Sequence, residues 1–244
     1  MTTLFISDLH LDAVRPQITQ LFLEFLGTQA RRAQALYILG DFFEAWIGDD
    51  DPDPHHAEVI AAVHALTSAG VPVYFMHGNR DFLIGVGFMR KTGCTLLSEP
   101  ARVELYGTPT LLMHGDTLCT GDLEYQKFRR QVRNPAWQKA FLAKPLAERL
   151  AFAKQARAQS QIQTAAKPDY LMDVNQQEVE KVMREHQVTR LIHGHTHRPA
   201  VHRFGAHARD LTRIVLGDWY EQSSVLTVDH GTFELHDPRC NKSN

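Results

Sequence analysis

The chain has 244 residues, 43% of them hydrophobic and 22% charged, with a formal net charge of −2. That length suffices for one large or two small domains around a well-buried core. The composition excludes a spanning helix, since no apolar run approaches the roughly 20 residues a bilayer demands, and the near-neutral balance gives no global signature of nucleic-acid binding. Three cysteines at irregular spacing (Cys94, Cys119, Cys240) imply reduced thiols in a cytoplasmic protein rather than a zinc–cysteine site. The opening Met-Thr-Thr-Leu-Phe-Ile lacks the basic region of a signal peptide.

In chain order, short apolar runs of strand length end abruptly in Gly, Asp, His or Asn. Leu4–Ile6 leads into Asp8-Leu9-His10, and Ala35–Leu39 leads into Gly40-Asp41. Between them Ile18, Leu21, Phe22, Phe25 and Leu26 follow the i, i+3, i+4 spacing of one buried helix face, as Val59, Val63 and Leu66 do in the next interval. Val71–Met76 precedes Gly78-Asn79-Arg80-Asp81, Thr110–Met113 precedes His114-Gly115-Asp116, and Arg190–Ile192 precedes Gly194-His195-Thr196-His197. Val174 to Gln187 is a further helix candidate. Beyond it, Arg213–Leu216, Ser224–Val228 and Thr232–Leu235 read as close-spaced strands. Strands alternating with helices predict an α/β fold with its ligand site at the carboxyl ends of the strands, where all five polar clusters fall.

Residues 122–172 interrupt this alternation. Between Lys127 and Lys167 stand ten Lys or Arg and one acid, Glu148, a local balance of +9 that leaves −11 for the rest of the chain. Breaks near Pro135 and Pro145 divide the stretch into two or three helices. Phe128, Val132, Trp137, Phe141, Leu142, Leu146, Leu150 and Phe152 give it apolar surface. The expected organisation is a core of residues 1–121 and 173–244 with a helical insert of residues 122–172. A basic amphipathic unit over a site can hold acyl chains, attract phosphates and rest on an anionic membrane surface. An ordinary capping pair of helices with solvated charges is the alternative.

The five clusters supply Asp8, His10, Asp41, Asn79, His114, His195 and His197. Carboxylate, imidazole and amide groups without thiolate suit borderline-hard divalent ions such as Mn²⁺, Fe²⁺ or Zn²⁺. On extended backbone an Asp-x-His or His-x-His pair turns both side chains to one side, so each pair can face one metal region. Asp41 is the natural bridge, because its two oxygens can serve two ions. A pair of ions activates water and neutralises charge growing on phosphorus, so no protein nucleophile is needed.

Asp8-x-His10, Gly40-Asp41, Gly78-Asn79-x-Asp81, His114 and Gly194-His195-x-His197 resemble the signature of the calcineurin-like metallophosphoesterase superfamily, from the start of the chain to Arg198. The resemblance implies a four-layer αββα sandwich of two mixed sheets, with the insert forming a lid. It also implies one ion on Asp8, His10, Asp41 and His197 and another on Asp41, Asn79, His114 and His195. Many members carry His where this chain has Arg80. A guanidinium stays charged, donates no proton near neutral pH and forks onto phosphate oxygens, which fits the good leaving group of a phosphoric anhydride. A structural salt bridge to Asp81 is the alternative for Arg80.

Longer stretches (Leu36–Asp49, His114–Cys119, Met172–Asn175 and His193–Ala200) are similar to pyrophosphohydrolases of lipid A biosynthesis in Gram-negative bacteria. That resemblance implies hydrolysis of UDP-2,3-diacylglucosamine by water attack at the α-phosphorus, with two divalent ions, usually Mn²⁺, giving UMP and 2,3-diacylglucosamine 1-phosphate. It implies a peripheral protein on the cytoplasmic face of the inner membrane, with no nucleic acid and no obligate protein partner. Catalytic roles fall to Asp41, Asn79, Arg80 and His195, and substrate contacts to Asn79, Arg80, Asp122, Ser160, Thr164, Lys167 and His195. The family pattern has Asn at position 164, so Thr164 is a departure.

Asp49-Asp50-Asp51 reads as a solvated turn rather than a third metal site, and Trp46, Trp137 and Trp219 read as packing residues. Asp116 is placed to orient a neighbouring ligand. Two other classes compete with the anhydride hydrolase. A soluble phosphodiesterase or phosphatase acting on nucleotides or phosphoproteins leaves the basic apolar insert unexplained. A non-catalytic scaffold of the same fold would be free to lose ligand residues, whereas all seven are present.

Overall fold

The computed structural model describes residues 2–166, 172–206, 209–230 and 232–237, with the backbone alone at 161 and 163–166. Strands β1 (Thr3–Ile6), β2 (Ala35–Leu39) and β3 (Val73–Met76) are buried almost throughout, as apolar runs become when both faces of a parallel sheet are covered. They pair in parallel and continue to β4 (Thr95–Leu97). The other side of β1 pairs antiparallel with β10 (Val225–Val228), and β10 pairs with β11 (Phe233–His236). The second sheet runs β5-β6-β7-β9-β8, from Ala101–Leu105 (β5), Thr108–Leu112 (β6), Arg190–His193 (β7), Ala200–Ala206 (β8) and Arg209–Val215 (β9). Its three central strands are parallel and its two edges antiparallel.

Three hydrophobic clusters define four layers. Phe5, Leu39 and Met76 of the first sheet meet Leu112, Ile192 and Ile214 of the second. Ile18, Phe22 and Phe25 of α1 (Pro16–Gly27) and Val59 and Val63 of α2 (Pro54–Ser68) join the outer face of the first sheet, with Phe88 of α3 (Val86–Thr92). Val179 and Met183 of α7 (Gln176–Glu185) join Leu111 and Leu191 on the outer face of the second. The expected α/β sandwich of two mixed sheets is the architecture adopted.

Residues 122–166 form α4 (Leu123–Val132), α5 (Pro135–Leu142) and α6 (Leu146–Ala166). The breaks fall where the prolines stand. Pro135 occupies the first turn of α5, and the Asn134 carboxamide accepts the N–H groups of Ala136 (2.8 Å) and Trp137 (3.3 Å). Four of the segment's cations make internal bonds instead of facing solvent. Arg129 Nε donates to Asp116 (2.7 Å) and its Nη2 to Glu99 (3.2 Å), and Arg133 donates to the Gly78 carbonyl (2.8 Å). Arg149 forks onto Asp50 and also donates to the Ile47 carbonyl (2.7 Å), while Arg157 pairs with Glu44. These bonds tie the three-helix segment to the sandwich.

Candidate active site

Strands β1, β2, β3, β6 and β7 deliver their following loops to one edge of the sandwich. The Asp8 N–H donates to Gly40 C=O (3.0 Å), His10 N–H to Asp41 C=O (2.9 Å) and Gly194 N–H to His114 C=O (2.8 Å), which locks loop against loop. The glycines permit this approach. A Cβ on Gly78 would lie 2.1 Å from the Asp41 nitrogen, and one on Gly194 would lie 2.1 Å from Ser7 Oγ.

The side-chain directions arise differently from the extended-strand expectation. Asp8, His10, Asp41, His195 and His197 all take left-handed backbone conformations, with φ of 56°, 50°, 50°, 69° and 54°. Asp and His tolerate this region better than most residues, and each such residue costs about 1–3 kcal/mol that the surrounding hydrogen bonds must offset. Strain concentrated in five of seven candidate ligands marks a functional centre.

The seven residues form two halves around Asp41. On one side, His10 Nε2 and His197 Nε2 are 3.2 Å apart, and Asp8 Oδ1 lies 3.3 Å from His197 and 3.9 Å from His10. Asp41 Oδ2 stands 3.8 Å from His10. On the other side, His114 Nε2 lies 2.9 Å from Asn79 Oδ1 and 3.7 Å from Asp41 Oδ1, and the His195 ring centroid is 5.1 Å from that of His114. The two Asp41 oxygens thus face different halves. The second nitrogen of His114 bonds the Leu39 carbonyl at 2.9 Å, which leaves Nε2 for the centre.

The donor set fits divalent cations. Asp8 Oδ1 is buried without a hydrogen-bond partner among the described residues. Its other oxygen accepts from Ser7 Oγ (2.6 Å) and the His195 N–H (2.8 Å). Burial acts to raise the Asp8 pKa, yet His197, 3.3 Å from Oδ1, with His114 and His10 holds it well below the carboxylate range. Burial would lower His114, but Asp41, Asp8, Asp116 and Glu99 outweigh it and hold its pKa at about 9. Burial and the neighbouring His114 push His195 down to about 4, so its ring is neutral with a lone pair to offer. Buried acids and imidazoles crowded in this way draw positive charge into the centre.

A cavity of about 910 Å³ opens from this centre. It is lined by Asp41, Asn79, Arg80 and His195 and by the rings of Phe82, Trp137, Phe141 and Phe152. Asp122 and Ser160 also line it. The Asp122 carboxylate additionally caps α4 by accepting the Tyr125 N–H (3.1 Å). The Thr164 side chain and Lys167 lie outside the described residues.

Three sequence expectations need correction or extension. Asp49 is not a solvated turn residue, because its carboxylate accepts the N–H groups of Gly85 (3.0 Å), Gly87 (2.7 Å) and Phe88 (3.1 Å) at the start of α3. Asp50 holds Arg149. Asp116 Oδ2 is engaged by the Tyr125 hydroxyl (2.6 Å) and Arg129 (2.7 Å), so it anchors α4 beside His195. Sequence reasoning missed Glu44, Arg157 and Tyr125. Only Glu44 carries a local signal, as an acid inside the apolar stretch from Phe42 to Trp46.

The sandwich and its edge centre are those of a phosphoesterase. Residues 1–199 match the family model for calcineurin-like phosphoesterases, and the chain belongs to that family, whose members use divalent metals. A UDP-2,3-diacylglucosamine hydrolase of Stenotrophomonas maltophilia (strain K279a) is 55% identical, the match covering 96% of this chain and 98% of that protein. One from Xanthomonas oryzae pv. oryzae (strain PXO99A) is 56% identical over 94% of this chain and 96% of its own. Among solved structures, an archaeal phosphodiesterase shares the fold with a TM-score of 0.50 at 13% identity, covering 97% of this chain and 99% of its own.

Proposed function

We propose that this protein hydrolyses UDP-2,3-diacylglucosamine by water attack at the α-phosphorus, releasing UMP and 2,3-diacylglucosamine 1-phosphate, in the lipid A pathway of a Gram-negative bacterium. One observation carries the reading beyond a generic phosphoesterase. One cavity is lined both by His10, Asp41, Asn79, His195 and His197 and by the aromatic rings of α5 and α6, so an anhydride and acyl chains fit one site. The names of the most similar relatives point to the same substrate.

Asp8, His10, Asp41 and His197 would hold one divalent ion and Asp41, Asn79, His114 and His195 a second, with Mn²⁺ the expected metal. When bound, the ions supply an activated water and neutralise charge on the phosphoryl oxygens. Arg80 stabilises charge that develops across the anhydride. Asn79, Asp122, Ser160, Thr164, Lys167 and His195 orient the substrate. Residues 122–172 act as a lid over the acyl chains, and their exposed cations and apolar side chains rest on the cytoplasmic face of the inner membrane.

Mass spectrometry of products formed in ¹⁸O-water tests this. Label in UMP is the expected result. Label in the sugar phosphate would move the attack to the other phosphorus, and no turnover of the acylated substrate would end the reading.

A further inference from the structure

Glu44 sits where the Phe43 backbone bridges to Leu11 and the Glu44 N–H donates to the Leu11 carbonyl at 3.0 Å. An acid fixed there, with a side chain only 13% exposed, needs positive partners to stay ionised. Three guanidinium groups supply them. Oε1 takes Arg157 Nε at 2.7 Å and Arg80 Nη1 at 3.4 Å. Oε2 faces Arg15 Nη2 at 3.3 Å and His10 Nδ1 at 3.4 Å. Arg80 Nε also stands 4.0 Å from Asp41 Oδ2, so two carboxylates face three permanent cations and one positive charge remains in excess beside the centre. Arg80 comes from the loop after β3 and Arg157 from α6, so a single carboxylate oxygen joins the sandwich to the insert.

We propose that Glu44 is a positioning residue of the reaction: it holds Arg80 and Arg157 as one pair aimed at the anionic group of the substrate, and so couples charge stabilisation to the seating of α6. The inference rests on the anhydride-hydrolase reading. Two arginines braced on one oxygen have their rotamers set before substrate arrives, so little ordering remains for the transition state. The positive charge left after Glu44 and Asp41 are counted draws in an anionic diphosphate, whose bridge would enter between the guanidinium groups and the centre. An isolated Arg80–Glu44 pair would be electrically spent. The third and second arginines keep the site attractive to an anion.

The test uses the Mn²⁺-loaded full chain as wild type, Glu44→Gln, Arg157→Gln and the double variant. Steady-state kcat and KM on UDP-2,3-diacylglucosamine read the chemistry, and amide hydrogen exchange over residues 146–160 reads the seating of α6. Each single variant is expected to lower kcat by about 10- to 100-fold, the scale for removing a supporting partner of a metal centre, with KM within about threefold. Each should speed exchange over residues 146–160, and the double variant should be no worse than the weaker single. Additive losses, a loss confined to KM, or unchanged exchange would overturn the proposal. If Glu44→Gln does not fold, Arg157→Gln carries the test, because Arg15 and Arg80 still compensate the carboxylate, and a normal kcat there overturns the proposal equally. A wild-type protein that leaves the acylated substrate intact sinks the anhydride reading instead.

Discussion

Arg80 and Asp81 are adjacent in sequence and turn their side chains apart. The buried Asp81 carboxylate accepts the backbone N–H groups of Gly78 and Phe42, both at 2.7 Å. The Arg80 guanidinium reaches Glu44 instead, and its Nε stands 4.0 Å from Asp41 Oδ2 with no hydrogen-bond partner among the described residues. The salt bridge between these neighbours is therefore not the arrangement adopted. Arg80→Ala is expected to lower kcat/KM by about 10²–10³, the scale of one strong electrostatic donor. Arg80→Lys should recover only part, keeping the charge but losing the planar fork. Both variants should melt near the wild-type temperature, since Asp81 keeps its backbone partners. A destabilised Arg80→Ala with normal kinetics would remove Arg80 from the chemistry.

Metal removal gives the second prediction. Chelation should abolish turnover and Mn²⁺ should restore it. Because the two Asp41 oxygens face different halves, 3.8 Å from His10 and 3.7 Å from His114, Asp41→Ala should weaken both ions together. Added Mn²⁺ should raise the melting temperature of the wild type by mass action and leave that of Asp41→Ala nearly unmoved. Full activity in stripped protein would end the two-metal reading.

The aromatic wall gives a third. Trp137 stacks on Phe141 with ring centroids 4.9 Å apart and lies 5.7 Å from Phe152. Trp137→Ala should lower kcat/KM on the diacylated substrate by about tenfold, the equivalent of roughly 1.4 kcal/mol of lost apolar contact. Slow turnover of an unacylated UDP-sugar should be unchanged. Equal losses on both substrates would assign Trp137 to packing alone.

The proposed membrane association rests on fewer charges than the sequence count implies. With Arg129, Arg133, Arg149 and Arg157 engaged internally, the exposed cations of the described segment are Lys127, Arg130, Lys139, Lys144 and Lys154, near exposed Leu123, Phe128 and Leu150. Each gains about 1 kcal/mol near an anionic surface, less in salt. Anionic vesicles should retain the protein at low salt and release it at high salt, and Lys127→Glu with Arg130→Glu should weaken retention. Salt-independent binding to neutral vesicles would contradict this.

A pH dependence of stability follows from His56, whose ring packs 4.6 Å from Phe43 and 4.9 Å from Trp46. Burial lowers its pKa and outweighs Asp53 and Asp51, which act to raise it. The unfolded ring protonates near pH 6.5, whereas the folded ring resists until lower pH. Its contribution is therefore complete above about pH 6.5 and is lost as pH falls from there through the folded value. His56→Phe should flatten that part of the melting-temperature profile. Parallel profiles for variant and wild type would count against the assignment.

What the sequence discloses depends on where each residue sits. Ala35–Leu39 coincides with β2 because burial on both faces leaves an unbroken apolar run. Edge strand β8 mixes Val201, His202, Arg203 and Phe204 with mostly exposed positions, so no run marks it. β5 does alternate, but over five residues only. The candidate ligands are legible by type, whereas the left-handed backbone of five of them is not, because it accompanies hydrogen bonds between loops distant in the chain. The Glu44–Arg157 pair is invisible for the same reason.

The position of Asp8 governs when the centre can exist during synthesis. Its carboxylate accepts the His195 N–H and its carbonyl accepts that of Trp219 (3.1 Å), while β1 lies between β2 and β10. The first candidate ligand to leave the ribosome thus waits for strands made later in the chain. A fragment ending at residue 199 would contain every candidate ligand yet leave β1 with one flank bare and Asp8 short of a partner. Such a fragment is therefore expected to bind Mn²⁺ more weakly than the full chain.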